Sequence, residues 1–500
     1  MGAIHKATVI GAIITGLCLA AALLLLARTA EADHLSRQND LCVRPDGADG
    51  CYSTIQKAVN VASDGDTITI AGGTYTESVF ITRSLAITGG WQPPGWPLTE
   101  TVVQANGADC ALSLDTVSGS LTNLTATGAN TAGICGSYLL TYTMANITAG
   151  DNVGHGTAVE VSHTLTVTQS LFNNNGQVGL VSTCPYGAFG KDVEILVTNS
   201  TAHGNGHDGF NGGFGGGSCY LHLQYQNSTA MENGWSGFSG FGGICPAILR
   251  NNGIGMGIGM LVEISKSTIK SNGVGITAYC GSGLILQQNI VQGNGTGVRS
   301  NEANFTSVNS LYTDNQNNGL EIRAGGWRST NDTIANNGLG ELILFDDVYP
   351  TFSFNQIESA CETPNVKLTN TIIWDTHRGI EWYPDPSCLP YFPPIPFMVE
   401  IHHSLIAGRE LLIDEPDIIY FTIGAAVYDA NPFFVGNCSY QLKPPSPAID
   451  RGTADGAPPV DIEGQIRPFD GDGNGIPEFD MGAYEAPPGI IWRSFTPYFP

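Results

Sequence analysis

Short apolar and β-branched runs recur along the middle of this chain, each broken after four or five residues by polar or glycine-rich corners. Leu165–Thr168, Glu194–Val197, Leu221–Gln224, Leu261–Ile264 and Leu284–Gln287 are examples, and each predicts one short strand. A typical unit runs from Leu284 to Val298: strand, polar corner, strand, Asn-Gly turn, strand. The Asn-Gly pairs recur with glycines at Gly176, Gly206, Gly234, Gly253, Gly273, Gly295, Gly319 and Gly338. Turns every 20 to 30 residues are the sequence signature of a solenoid, with one turn expected per coil. Antiparallel hairpins use the same dipeptide, but a meander would place an equally strong turn every 8 to 12 residues. Asn tolerates left-handed backbone and Gly accepts positive φ, which is the reason expected for the pair.

One segment departs from this rhythm. Ser53-Thr54-Ile55-Gln56 has the form of a capping box, and Ile55, Ala58, Val59 and Ala62 then share a helical face, so an amphipathic helix is expected over 53–63. Laid over the first coil, it would shield an open strand edge as a capping element. Further upstream, the uncharged run Ala7–Ala27 followed by Ala30-Glu31-Ala32 reads as a signal peptide over 1–32, an uncleaved anchor being the alternative.

The Cys51–Asn60 cap, the start Gly65-Asp66-Thr67-Ile68 with Gly73-Thr74-Tyr75-Thr76-Glu77, and coils such as Asn199–Gly206 and Asn227–Gly234 together resemble the pectate-lyase-like family of right-handed parallel β-helix repeat proteins. The resemblance covers about 42–440 and implies an all-β right-handed solenoid. It leaves function open, because that scaffold carries lyases, hydrolases, epimerases, adhesins and surface proteins. Ser446–Thr453, Asp461–Pro468 and Asp480–Glu485 resemble the choice-of-anchor Q domain of bacterial surface β-helix proteins. That implies a C-terminal cap over 441–486 and a tail over 487–500. The stretch 350–430, rich in Pro and aromatic residues, fits the repeat badly and reads as an irregular excursion over the last coils.

Composition narrows the function. With 20 Lys and Arg against 45 Asp and Glu, the net charge is −25, which argues against nucleic acid as a partner. Of the twelve cysteines, Cys18 leaves with the signal, and the eleven that remain in an exported chain are expected to form disulfides. Cys42 with Cys51, Cys110 with Cys135 and Cys361 with Cys388 look like local bridges. Cys184, Cys219, Cys245 and Cys280 lie at similar places on neighbouring coils, so Cys219 can take Cys184 or Cys245. One thiol is left over, with Cys438 the candidate.

Candidate chemistry is sparse. The densest polar and aromatic cluster is Asp375, His377, Arg378 and Glu381, as acid, base or cation, flanked by Trp374 and Trp382 as sugar-stacking faces. A second gathering holds His203, His207, Asp208 and His222. Phe210 and Phe238 follow their turns at matching offsets and are expected to stack in the core. Asp470, Asp472 and Asn474 have calcium-loop spacing, with Glu478 and Asp480 to close the shell. The sequons, Asn123 and Asn146 among them, follow from the repeat's Asn and Thr bias. These readings favour an extracellular or cell-surface monomer with a structural or adhesive role, binding polysaccharide or cell-envelope components. The alternative is a lyase or epimerase acting on acidic glycans.

Overall fold

The computed structural model describes residues 40–94, 99–185, 190–214, 219–241, 260–279, 282–301, 303–323, 325–345, 347–353, 356–362, 365–374, 379–383, 397–407 and 419–487. Three parallel ladders run along it. The first contains Asp192–Thr198, Tyr220–Gln226, Met260–Ser265 and Ser282–Gln287, paired in that order. The second is built of three-residue strands, among them Thr201–His203, Thr229–Met231 and Thr268–Lys270. The third contains Phe210–Phe214, Ser236–Phe241, Val274–Ala278 and Thr296–Asn301. Each coil takes one strand from each ladder and climbs by one inter-strand spacing, about 4.8 Å. This is the right-handed parallel β-helix expected from the repeats, with the hand that parallel crossovers favour.

Alternation along each strand fills the interior. In Asp192–Thr198, Val193, Ile195 and Val197 turn inward, and one continuous apolar cluster extends from Val43 to Val427. Phe210 and Phe238 are part of it, stacked with ring centroids 5.0 Å apart, so they form a core ladder as expected.

The corner between the second and third ladders carries a file of buried asparagines. Asn152, Asn175, Asn205, Asn233, Asn272, Asn294, Asn315 and Asn337 each follow a second-ladder strand. From Asn152 to Asn315, each Nδ2 donates to the Oδ1 of the next asparagine at 2.8 to 3.1 Å. The amides also satisfy second-ladder carbonyls, as Asn205 does at Phe172. Glu341 ends the file by accepting from Asn337.

This corrects the turn logic in two ways. Positive φ falls one residue before the asparagine, at Asn174, Gly204, Glu232 and Ser271, while the glycine after it is needed for close approach. A Cβ on Gly176 would lie 2.1 Å from the Val153 carbonyl oxygen, and one on Gly206 would lie 2.2 Å from that of Gly176. The pairs are also not strictly one per coil. Asn318-Gly319 begins a third-ladder strand, and Asn315 with Gln316 holds that corner. Asn252-Gly253 lies outside the described residues, and Asn233 passes directly to Asn272.

Thr54, not Ser53, caps the helix Ile55–Val61, its Oγ1 accepting from Lys57 N at 3.3 Å. The Glu77 carboxylate accepts from Ile55 N and Gln56 N at 2.8 and 3.0 Å, meeting the free amides that a capping box would otherwise serve. Ile55, Ala58 and Val59 bury against the first coils.

The stretch read as an excursion keeps its rungs. Asn365–Thr369, Ile372–Trp374, Ile380–Tyr383, Phe397–His402 and Ile419–Ile423 all pair on the ladders. An antiparallel hairpin, Asp347–Ser353 with Gln356–Glu362, is inserted between the third and first ladders. Residues 441–486 lie along the flank of the solenoid. Gln288, Asn309, Asn331 and Asn370 donate to the carbonyls of Asp461, Val460, Asp480 and Thr453 at 2.7 to 3.0 Å. Ile372 and Leu405 on the second ladder pack against Leu442, Ile449 and Met481.

Disulfides join Cys42 to Cys51, Cys110 to Cys135 and Cys184 to Cys219, with Cα separations of 4.7, 6.0 and 6.5 Å. The last settles the choice left open for Cys219. Cys438 is a free, exposed thiol, while the Cys361 and Cys388 side chains, Cys245 and Cys280 lie outside what is described. The signal segment and the tail beyond residue 487 also lie outside it. No helix among the described residues is long and apolar enough to cross a membrane.

Candidate functional site

Polar and aromatic groups gather on the outer face of the third ladder. Register places Arg299 beside Glu321, Glu321 beside Ile343, and Ile343 beside Glu381 on consecutive rungs. Side chains two residues apart share a strand face, so Arg323, Phe345 and Tyr383 form a second row next to the first. The strip spans four rungs, about 15 Å at the usual spacing.

Its electrostatics are specific. Arg299 Nε donates to Glu321 Oε2 at 2.7 Å, and Asn318 Nδ2 and Thr296 Oγ1 donate to Oε1 at 2.7 and 3.3 Å. Burial alone would raise the Glu321 pKa, but the Arg299 guanidinium and these hydrogen bonds outweigh it and leave the carboxyl below its ordinary range. The hydrogen bond from Glu321 likewise holds Arg299 above its usual value. Glu321 is therefore a fixed anion. Arg323 lies 4.0 Å over the Phe345 ring, a cation–π contact, and no carboxylate among the described residues pairs with it. Phe345 stacks on Tyr383 at 5.6 Å, and Tyr383 donates its hydroxyl proton to Glu381 Oε2 at 2.7 Å. Such a strip can hold a sugar ring against an aromatic face while an arginine meets an anionic substituent.

The residues singled out from sequence are only partly brought together. Glu381 is in the strip. Trp374 ends a second-ladder strand and packs beside Tyr440 and the C-terminal segment, so it faces a different flank. Asp375, His377 and Arg378 lie outside the described residues, as does the side chain of Trp382. The histidine gathering disperses: His203 pairs with Glu232 on the second ladder, His207 packs against Trp235 at the Asn corner, and His222 meets Glu263 on the first ladder. Asp208, two residues before the third-ladder strand Phe210–Phe214, accepts from Ser236 N, Ser239 Oγ and Asn211 Nδ2 at 2.7 to 2.9 Å. Sequence reasoning passed over Arg299, Glu321, Arg323, Phe345 and Tyr383. The visible signal was charge at outward positions filled by Ser and Thr in earlier coils, such as Ser239 and Thr277.

The acidic loop is reassorted. Asp450, Asp470 and Asp472 bring carboxylate oxygens within 4.8 Å of one another, and Asp470 Oδ1 is buried without a hydrogen-bond partner. Asp480 turns the other way, accepting from the amides of Asp450 and Ala486 at 2.7 and 2.6 Å. Asn474 braces Asp472 at 3.0 Å, and Glu478 is exposed.

No family model matches this chain, and no curated protein sequence matches it. Solved structures similar to it include pectate lyase Pel9A, at 13% identity over 90% of this chain and 98% of that one, TM-score 0.38. The complex of XylC with xylose matches at 8% identity over 90% and 99%, TM-score 0.46. The A-module of the Azotobacter vinelandii mannuronan C-5 epimerase AlgE6 matches at 14% identity over 76% and 94%, TM-score 0.39. Strand register along the three ladders makes the chain a parallel β-helix, right-handed as parallel crossovers are.

Proposed function

We propose that this is an exported, surface-acting β-helix that binds polysaccharide along the outer face of its third ladder. The observation that carries the reading is the Arg323–Phe345–Tyr383 row beside the Arg299–Glu321 pair and Glu381. Three disulfides support an oxidising compartment.

A lyase or epimerase acting on acidic glycans is the second reading, because two carboxylates and two arginines share the strip. Against it, both Glu321 oxygens are already engaged by Arg299, Asn318 and Thr296, which weakens the carboxylate as a base, so binding is favoured over catalysis. Calcium belongs to this proposal as a structural ion at Asp450, Asp470 and Asp472. The donors suit a hard cation, and the buried Asp470 Oδ1 lacks any other partner.

Electrophoresis of the mature chain through gels containing pectate or alginate tests the binding reading. Retardation that weakens in Arg323→Ala and Tyr383→Ala is expected, with no ultraviolet-absorbing unsaturated ends with or without calcium. Unretarded migration in both gels would sink it. Unsaturated product that disappears in Glu381→Gln would replace it with the lyase.

A further inference from the structure

The flank that carries the C-terminal segment changes character toward the N-terminus. Where the segment docks, outward second-ladder positions are apolar at Leu311, Ile372 and Leu405, while Thr333 between them accepts from Ala483 N. In the open half the corresponding positions are Thr125, Thr148, Leu171, Thr201, Thr229 and Thr268, hydroxyl-bearing at all but Leu171. At the N-terminal end of this hydroxyl-lined half is a cleft of about 380 Å³, whose walls include Gly90, Glu100, Thr101, Asn123, Asn146 and Thr148. Its volume falls within the range of small-molecule sites.

The walls are built rather than incidental. Asn123 and Asn146 occupy the same corner on successive coils, both at positive φ, and both are exposed. Asn146 Nδ2 donates to Asn123 Oδ1 at 2.7 Å. That bond leaves Asn123 Nδ2 and Asn146 Oδ1, one donor and one acceptor a coil apart, without a hydrogen-bond partner among the described residues. Below them, Thr101 is fully buried, and its Oγ1 accepts from Gly90 N at 2.8 Å and donates to the Ala71 carbonyl at 3.2 Å. Gly90 has φ +76°, and its missing side chain keeps the floor open toward Asn123. Glu100, which accepts from Thr125 Oγ1, supplies the one charge among the described lining residues.

We propose that this cleft binds one neutral hexose unit. Adjacent hydroxyls of the ring would meet the Asn123 donor and the Asn146 acceptor, and a further hydroxyl would donate to Glu100. The chemistry disfavours an anion: no Lys or Arg lines the cleft among the described residues, and Glu100 repels a carboxylate. The site is separate from the third-ladder strip and does not depend on it.

Saturation-transfer difference NMR on the mature full-length chain, with methyl β-glucopyranoside, methyl α-mannopyranoside and methyl glucuronoside as probes, tests this. Transfer to at least one neutral glycoside is expected, with the glucuronoside about tenfold weaker, equivalent to roughly 1.4 kcal/mol. Asn146→Gly keeps the positive-φ corner while removing the amide and should abolish transfer. Glu100→Gln should bring the glucuronoside level with the neutral probes. Tyr383→Ala should leave every signal unchanged, so failure here is distinguishable from failure of the third-ladder strip. The proposal is overturned if neither neutral glycoside receives saturation, if transfer survives intact in Asn146→Gly, or if wild type accepts the glucuronoside equally.

Discussion

A single buried carboxyl shows how the interior constrains the choice of side chain. Asp332 is wholly buried at the corner between the first and second ladders, accepting from Ser310 N at 2.8 Å and Ser329 Oγ at 2.7 Å. Equivalent corners in preceding coils hold Ser267, Asn289 and Ser310, each accepting from a backbone amide of the coil before. Burial pushes the Asp332 pKa up from 3.8 to about 7. Because the folded state holds the proton more tightly than the unfolded chain, stability falls as pH rises between those values and levels off above about 7. Each pH unit is worth about 1.4 kcal/mol, so the full effect is at most about 4 kcal/mol. Asp332→Asn, a side chain the same corner accepts at Asn289, should raise the melting temperature at pH 8 and change it little at pH 4. A variant no more stable than wild type at pH 8 would show that the carboxylate is accommodated without penalty.

The asparagine file makes the corner between second and third ladders a cooperative element. Asn233→Ala should remove the acceptor of Asn205 Nδ2 and the donor to Asn272 Oδ1 at once. Buried groups left unpaired cost about 1 to 3 kcal/mol each, so chemical denaturation should show a loss of that order. A loss below 1 kcal/mol would mean that water replaces the amide. The acidic loop offers a second test at this scale. Calcium should raise the melting temperature of wild type and leave Asp470→Asn unmoved; equal shifts in both would place the ion elsewhere. The solenoid was legible in sequence because Asn-Gly corners and two-residue alternation are local. The third-ladder strip was not, because coil lengths vary: Asn233 and Asn272 are 39 residues apart, Asn272 and Asn294 only 22. Insertions between the third and first ladders hide which outward positions of successive coils become neighbours. Arg299, Glu321 and Arg323 therefore looked like unrelated surface charges until register aligned them.

The molecule as a whole is held together along its side as well as along its axis. The C-terminal segment covers apolar second-ladder positions that no further coil could cover, and its own centre is ionic. Arg467 and Glu485 are sealed from solvent and paired at 3.1 Å. Arg467 also donates to the Gly482 carbonyl at 2.8 Å and to Asn309 Oδ1 of the solenoid at 3.2 Å, so one side chain joins the segment to itself and to the coils. Burial and their mutual repulsion push the Asp480 carboxyl up, and burial raises Glu485 as well although Arg467 opposes it, despite their backbone donors. Both directions mean that the unfolded chain releases these protons more readily, and stability falls as pH rises through them. Removing the cation should raise Glu485 further and extend that fall to higher pH. In Arg467→Met the two carboxyls face each other uncompensated, and breaking a buried pair costs about 3 to 5 kcal/mol. At pH 8 the segment should detach, seen as proteolytic cleavage between residues 441 and 486 while the coils stay resistant. At pH 5, where both carboxyls can keep their protons, most of the loss should be recovered. Equal cleavage at both pH values would mean that Arg467 acts through its hydrogen bonds to Gly482 and Asn309 rather than through its charge.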